Sequence, residues 1–421
     1  MTLTLCATRV DDGADDWPAR LREIRRRLED RPTLLPHHFL EVVLPKIGGS
    51  LFALQDMGAR NRSAESGYAF LLPRDTNCHG VDYTLRYEHA AGHPVARHEE
   101  ITQAVGQALP TGDRTVFYRP AAARRFNSTH EEVDGIDCGR PDATEAASIR
   151  TMQQQIWHSA PDGLYPSDLH SDEAGAGCSL VARVEGELAG FLLGFYRFGR
   201  VRLEGGVQAG RRTRELESQL LAVAPEQRGR SIGLALKRLQ ARQALAAGIE
   251  RISWTADPLL FANALLNFTR LGAVAYGFQP DLYPFRNELN LVPASRLNLL
   301  WPLRSRRVQL AQTGAGQTGP REVERDPELT IVNQADGSPV LDAASTRVGI
   351  EIPADWVSLQ RADLSAALRW RDVTNRLLDR YLGLQPGRYV IVDAGVSASR
   401  RYLIGERVDD RFLKETIGGT N

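Results

Sequence analysis

Apolar residues recur at helical spacing in Trp17–Leu28 (Trp17, Leu21, Ile24 and Leu28), which predicts a helix with one buried stripe. Short apolar runs at Leu51–Leu54, Tyr68–Leu72 and Asp82–Tyr87 predict strands. A helix over Glu99–Leu109 and a strand at Thr115–Tyr118 follow. A second series begins with a helix at Thr144–Trp157. Cys178–Val184 and Leu188–Tyr196 read as a hairpin turning at Glu185–Gly186–Glu187. Leu216–Val223 is a third strand. In Ile232–Ala247, the residues Ile232, Ala235, Leu236, Leu239 and Ala246 share one helical face, and Gly248 supplies a left-handed stop. Arg251–Thr255 is a fourth strand, and Ala262–Arg270 a shorter helix ending at Gly272. Near the C-terminus come a strand at Val348–Ile352, a helix at Leu364–Leu382 capped by Asp363, and strands at Tyr389–Val392 and Arg401–Ile404.

These elements define an α/β protein in pieces. Residues 1–142 read as an N-terminal α/β domain, 143–308 as a second domain, and 346–421 as a C-terminal α/β extension. Between them, 309–345 is expected to be a flexible linker, because Gln309–Gly319 is small, polar and glycine-rich. The first two pieces share an element order, which suggests a duplicated fold whose first copy has lost a loop.

The 421-residue length fits two or three domains, and 42% hydrophobic with 25% charged residues is ordinary globular usage. Basic and acidic residues number 52 each, which argues against a nucleic-acid coat or a polybasic membrane binder. Only Lys46, Lys237 and Lys414 among the basic residues are lysines. No apolar run approaches the roughly 18 residues of a membrane span, and Met1–Val10 lacks the pattern of a signal peptide. Four cysteines, at 6, 78, 138 and 178, form no C-x-x-C pair and are expected as reduced thiols in a cytoplasmic protein. His79, His89, His93 and His98 match no ligand spacing, so no metal is expected. All nine histidines lie at or before His170, so later residues must act without imidazole.

The informative stretch is Leu216–Gly233, LESQLLAVAPEQRGRSIG. A strand ends at Val223, and a polar loop feeds directly into a helix. Amides at a helix start are unsatisfied donors, and the helix dipole adds positive charge, so the junction suits a phosphate or diphosphate. Gly229 and Gly233 permit close backbone approach, while Arg228 and Arg230 add charge. Residues 200–307 hold 17 basic against 8 acidic residues, a positive field suited to a polyanionic small ligand.

Arg228-Gly229-Arg230-Ser231-Ile232-Gly233, preceded by Val223-Ala224-Pro225, resembles the diphosphate loop of the GNAT superfamily of acyl-CoA-dependent N-acyltransferases. Asn267-Phe268-Thr269-Arg270-Leu271-Gly272 resembles that family's helix end. SWTADPL (253–259) and EIPADW (351–356) resemble a subgroup of predicted acetyltransferases within it, extending the likeness over about 143–405. Two residues depart from the pattern. Ser231 stands where the family prefers glycine, and Phe268 replaces a tyrosine that often serves as general acid.

The resemblance implies a GNAT-type mixed twisted sheet flanked by helices, with the first segment read as a degenerate copy of that fold. It implies acetyl-CoA or another acyl-CoA as co-substrate, and direct attack of an amine on the thioester carbonyl. Residues 228–233 would hold the diphosphate, amides of Leu221, Ala222 and Val223 the pantetheine arm, and Asn263 would touch CoA. Glu217, at the start of the strand, is the candidate base for the amine proton. Tyr276 and Tyr283 are candidates to replace the missing phenol as acid. Cys178, without a histidine partner in that half of the chain, is a poor nucleophile.

Acyl transfer to a carrier-protein thiol, decarboxylation of a malonyl-type thioester, and a non-catalytic CoA-binding module remain as alternatives. The expected acceptor is a small-molecule amine or a carrier protein, with no nucleic acid or membrane partner. The first segment is left two roles, shaping the acceptor pocket or mediating a homodimer.

Overall fold

The structure, a computed structural model, describes residues 5–29, 31–57, 65–77, 79–120, 125–199, 213–283, 290–313, 319–333 and 339–417. They fall into two compact units, which divide inside a helix at Gln240 and Ala241.

The first unit opens with β1 (Leu5–Arg9) and α1 (Trp17–Leu28). A π-helical turn, Phe39–Val43, then runs into the short α2 (Leu44–Lys46). β2 (Ser50–Asp56), β3 (Glu65–Thr76), β4 (Val81–His89), α3 (His98–Ala108) and β5 (Arg114–Tyr118) complete the region. The sheet order follows the chain, β1-β2-β3-β4-β5. Neighbours are antiparallel except β4 and β5, which are parallel. The α1 stripe read from sequence is the buried one: Trp17, Leu21, Ile24 and Leu28 face the core.

A second sheet in this unit begins with the hairpin β6 (Glu131–Val133) and β7 (Ile136–Gly139), followed by α4 (Ala143–Trp157). It continues with β8 (Gly177–Val184), β9 (Glu187–Gly199), β10 (Thr213–Val223) and α5 (Ile232–Ala246). Here too the order is sequential and the pairings antiparallel. The predicted hairpin turn is present, with both Glu185 (φ 54°) and Gly186 (φ 82°) left-handed. Ile232, Ala235, Leu236 and Leu239 of α5 pack on one face of the sheet, with Leu180, Ala182 and Leu192. Leu193 and Phe195 of β9 belong to the same apolar core as α1, Phe39 and Leu44, so the two sheets of this unit share a core.

The second unit contains β11 (Arg251–Ala256), then α6 (Phe261–Ala264) continuing as a π-helix over Leu265–Arg270. Next come β12 (Val274–Tyr283), β13 (Ala294–Pro302), α7 (Arg306–Gln312), β14 (Arg321–Glu322) and β15 (Leu329–Ile331). β16 (Arg347–Ile352), α8 (Trp356–Ala362), α9 (Leu364–Tyr381), β17 (Tyr389–Ser397), β18 (Arg400–Arg407) and α10 (Asp410–Phe412) follow. Its strands run β15-β16-β18-β17-β12-β13-β11, with β14 beside β17. The phrases at 253–259 and 351–356 meet in this unit. Asp257 accepts hydrogen bonds from the Arg371 guanidinium at 3.1 and 2.8 Å, and that guanidinium stacks 4.9 Å from the Trp356 ring. Asp363 caps α9 as predicted, accepting from the Ala366 amide at 2.9 Å.

The span 309–345 differs from the flexible linker expected. It holds the end of α7, β14 and β15. Ser305 starts α7 by accepting the Val308 amide at 3.4 Å, and the Val308 side chain is fully buried, which anchors the helix. Residues 314–318 and 334–338 of that span lie outside the described residues. No helix among the described residues is long and apolar enough to cross a membrane.

Candidate functional site

The pattern of β10 explains its position. Ala222 packs with Ile149 and Met152 of α4, and Leu216 is 1% exposed. Pairing with β9 slips between Ser218 and Leu220, so Gln219 is the extra residue of a β-bulge. The Ala224 amide donates to the Ala189 carbonyl at 2.9 Å. Strand alternation then turns the amides of Leu221 and Val223 toward the edge of β10 opposite β9.

Beyond Val223 the chain makes one 3₁₀ turn, Pro225–Gln227, and enters α5 at Ile232. Two residues of this loop are left-handed: Gly229 at φ 81° and Ser231 at φ 61°. A Cβ on Gly229 would meet nothing within 4 Å, so its glycine serves the backbone angle and not a tight contact. Ser231 adopts a conformation in which a side chain costs roughly 1 kcal/mol, which accounts physically for a glycine preference there. The Arg230 guanidinium donates to Gln227 Oε1 at 2.6 Å, and Arg228 is exposed. The first turn of α5 contains no acidic residue. Gly233, half-buried, is its second residue. The amides at this helix start, the dipole and the two arginines together favour an anion.

Glu217 is 2% exposed, and its Oε1 accepts a hydrogen bond from Lys46 Nζ at 2.6 Å. Lys46 ends α2, and its side chain is 31% exposed. On the opposite face of β10, Ser218 Oγ receives Lys237 Nζ at 2.7 Å, and Gln240 Oε1 receives it at 3.3 Å. Lys237 lies on α5 and is 2% exposed. Burial lowers its pKa to about 7, against the pull of Glu217 in the other direction. Gly194 makes room for this contact: a Cβ there would stand 3.2 Å from Gln240 Nε2. Burial pushes the Cys178 thiol up to about 12, so the thiolate a nucleophile requires is scarce at neutral pH. Neither Lys46 nor Lys237 was singled out as a site residue from sequence. The one available signal was rarity, since they are two of three lysines among 52 basic residues.

Asn263, Tyr276 and Tyr283 belong to the second unit. Asn263 is exposed on α6. Tyr276 is half-buried at a bulge in β12 and packs against Val274, Val390, Val392 and Val408. Tyr283 ends β12, and its side chain lies outside the described residues. Phe268 is 1% exposed and forms part of the core.

An open cleft of about 680 Å³ lies beside the loop, bounded by Arg230 and Ile232. Its other walls include Glu131, Glu132, Asp134 and Glu185. Those carboxylates repel a polyanion, so this cleft is not where a nucleotide diphosphate belongs. Among the described residues no group of three or more His, Cys, Asp or Glu is placed to hold a metal.

Comparison with known proteins bears on this geometry. Residues 146–272 match the model of the Acetyltransferase (GNAT) family. A search of curated proteins found no match. Solved structures similar to the chain include the ribosomal-protein-S18-alanine N-acetyltransferase of Escherichia coli, at 14% identity and TM-score 0.29, covering 39% of this chain and 92% of that one. Another is Arabidopsis thaliana NAA60 with a bisubstrate analogue, at 14% identity and TM-score 0.32, covering 39% and 98%. A third is a putative acetyltransferase from Salmonella typhimurium with its cofactor acetyl-CoA, at 16% identity and TM-score 0.30, covering 40% and 94%. Residues 146–272 thus form an acetyltransferase domain of the GNAT family.

Proposed function

We propose that the chain transfers an acetyl or small acyl group from CoA to an amine by direct attack, without an acyl-enzyme. The observation that carries this reading is the strand-to-helix junction at 224–233. It combines two left-handed residues, a helix start free of acids, and Arg228 and Arg230. In this reading the amides of 229–233 and the two arginines hold the diphosphate. The amides of Leu221 and Val223, flanking Ala222, hold the pantetheine arm. Bound acyl-CoA supplies the activated carbonyl. Glu217 takes the proton lost by the attacking amine. The inert setting of Cys178 supports direct transfer over a thioester on the enzyme.

Calorimetry with acetyl-CoA, joined to thiol release against a panel of amines, tests this. Binding that disappears in Gly233→Asp, with turnover on at least one amine, is the expected result. A wild-type protein that ignores acetyl-CoA overturns it.

A second reading, transfer to a carrier-protein thiol, draws support from the buried Phe268, since a phenyl ring has no proton for a leaving group. Mass spectrometry of a phosphopantetheinylated carrier after incubation with acyl-CoAs separates the two.

A further inference from the structure

We infer that Lys46, a residue of the N-terminal region, is a positioning residue that fixes the Glu217 carboxylate for proton transfer. The inference rests on Glu217 being the base of the proposed reaction. It assigns a task to the first region that neither a pocket wall nor a dimer contact describes.

The two residues are 171 positions apart, and specific packing brings them together. Glu217 lies opposite Phe195 in the β9–β10 pairing. Phe39, on the π-helical turn leading to Lys46, packs against Phe195 in a tilted arrangement with ring centroids 4.9 Å apart, and meets Tyr165 edge-on at 5.7 Å. The Trp17 indole N–H donates to the Glu41 carbonyl at 3.4 Å and ties that turn to α1. After α2 the chain turns at Gly48, left-handed at φ 80°, so close to β9 that a Cβ would stand 3.1 Å from the Phe198 carbonyl oxygen. The segment 39–48 is therefore clamped on β9 at both ends. Lys46 reaches from it to β10.

The chemistry follows from burial. A carboxylate removed from water needs a counter-charge, and Lys46 supplies one at 2.6 Å. By holding Oε1, the ammonium sets the plane of the carboxylate and the direction of its second oxygen. In the step, the amine nitrogen bonds to the acyl carbon, the carbon–sulfur bond breaks with its electron pair going to sulfur, and the amine proton goes to Glu217. Lys46 transfers nothing in this step. The compact ammonium also suits the place. In a chain so heavily biased to arginine, a lysine stands here and another, Lys237, holds the neighbouring Ser218 from the opposite face. A bulky planar guanidinium is not equivalent to an ammonium at a single buried oxygen.

The test is a kinetic double-mutant cycle on the full chain, with acetyl-CoA and an accepted amine, and with acetyl-CoA affinity and thermal unfolding recorded for every variant. In Lys46→Met, kcat is expected to fall about 30-fold while the acetyl-CoA KM stays within about 3-fold, and Lys46→Arg, which keeps the charge without the compact ammonium, is expected to regain only part of the loss. Lys46→Met combined with Glu217→Gln is expected to be no worse than Glu217→Gln alone. Should Lys46→Met not fold, Lys46→Gln replaces it, losing the charge and keeping a hydrogen-bond donor. A folded Lys46→Met with wild-type kcat overturns the inference, as do losses that multiply in the double variant. Full activity in Glu217→Gln, or acetyl-CoA binding by the wild type without turnover, overturns the reading of Glu217 as base and the inference with it. An inactive Glu217→Gln beside a fully active Lys46→Met overturns the inference alone.

Discussion

The first unit contains the same construction twice, with opposite electrostatics at the point that matters. β1-β2-β3-β4 and β7-β8-β9-β10 are each four antiparallel strands in chain order. Each has helical segments between its first and second strands and a helix after its fourth. After β4, helix α3 begins with Glu99 and Glu100 in its first turn. Glu100 accepts the Arg97 backbone amide at 3.1 Å and the Arg97 guanidinium at 2.8 Å, so a carboxylate of the protein already sits where an anion would bind. After β10, α5 begins without acids and with two left-handed residues before it. The strands differ too. The bulge falls on β10 itself, whereas in the β3–β4 pair the extra residue is Arg74 of β3. A shared architecture therefore does not make a shared site. Whether a helix start accepts a diphosphate is decided by a few residues around it.

The largest effect comes from making the second junction resemble the first. Gly233→Asp places a carboxylate in the first turn of α5, as Glu99 and Glu100 stand in α3. Acetyl-CoA affinity is expected to fall at least about 100-fold, because repulsion and a lost backbone approach act together. Calorimetry reads it. The converse change, Glu99→Gln with Glu100→Gln, is expected to leave one acetyl-CoA bound per chain. A second molecule bound would break the comparison, showing that only carboxylates separate the two copies.

Lys237 offers a second difference, because a buried lysine makes stability depend on pH. Its folded pKa is about 7, below the ordinary 10.5, owing to burial. Between those values the unfolded chain carries a proton that the folded one lacks, so stability rises with pH across this window. At lower pH both states are protonated and the contribution is flat at its minimum. From pH 7 to pH 9 the wild type is expected to gain about 2 kcal/mol relative to Lys237→Met, at up to about 1.4 kcal/mol per unit. Urea unfolding of both proteins at the two pH values measures it. Parallel behaviour would mean that Lys237 is not held as the structure places it.

Much of this was readable along the chain, and the unreadable parts share a cause. The α1 stripe, the hairpin at Glu185–Gly186, the Gly248 stop (φ 73°) and the loop before α5 are local signals, each set by neighbours within a few residues. The helical turn at 39–46 gave no such signal. Pro36 and Pro45 flank β-branched Val42 and Val43, a pattern that argues against helix, and packing of Phe39 on Phe195 supplies the missing drive. β12 and β13 were missed for a related reason: Gly277, Pro280 and Pro293 interrupt the apolar alternation, and the strands gain their stability from pairing. The Lys46–Glu217 contact is legible only in three dimensions, because no periodicity links residues so far apart.

The smallest effect concerns Ser231, where two preferences of one residue oppose each other. Its left-handed backbone favours glycine, yet it directly precedes α5 and its carbonyl accepts the Ala235 amide at 3.0 Å, a position where serine is a favoured residue. Ser231→Gly removes the strain and the hydroxyl together, whereas Ser231→Ala removes the hydroxyl and keeps the strain. If backbone angle dominates, Ser231→Gly stabilises by about 0.5–1 kcal/mol and Ser231→Ala does not. Acetyl-CoA then binds Ser231→Gly about 2- to 3-fold more tightly, because less strain opposes the bound loop. If the hydroxyl dominates, both variants lose stability and the glycine variant gains no affinity. Urea midpoints and calorimetry on the pair decide which, and so whether this loop accommodates its departure from glycine at a cost or makes use of it.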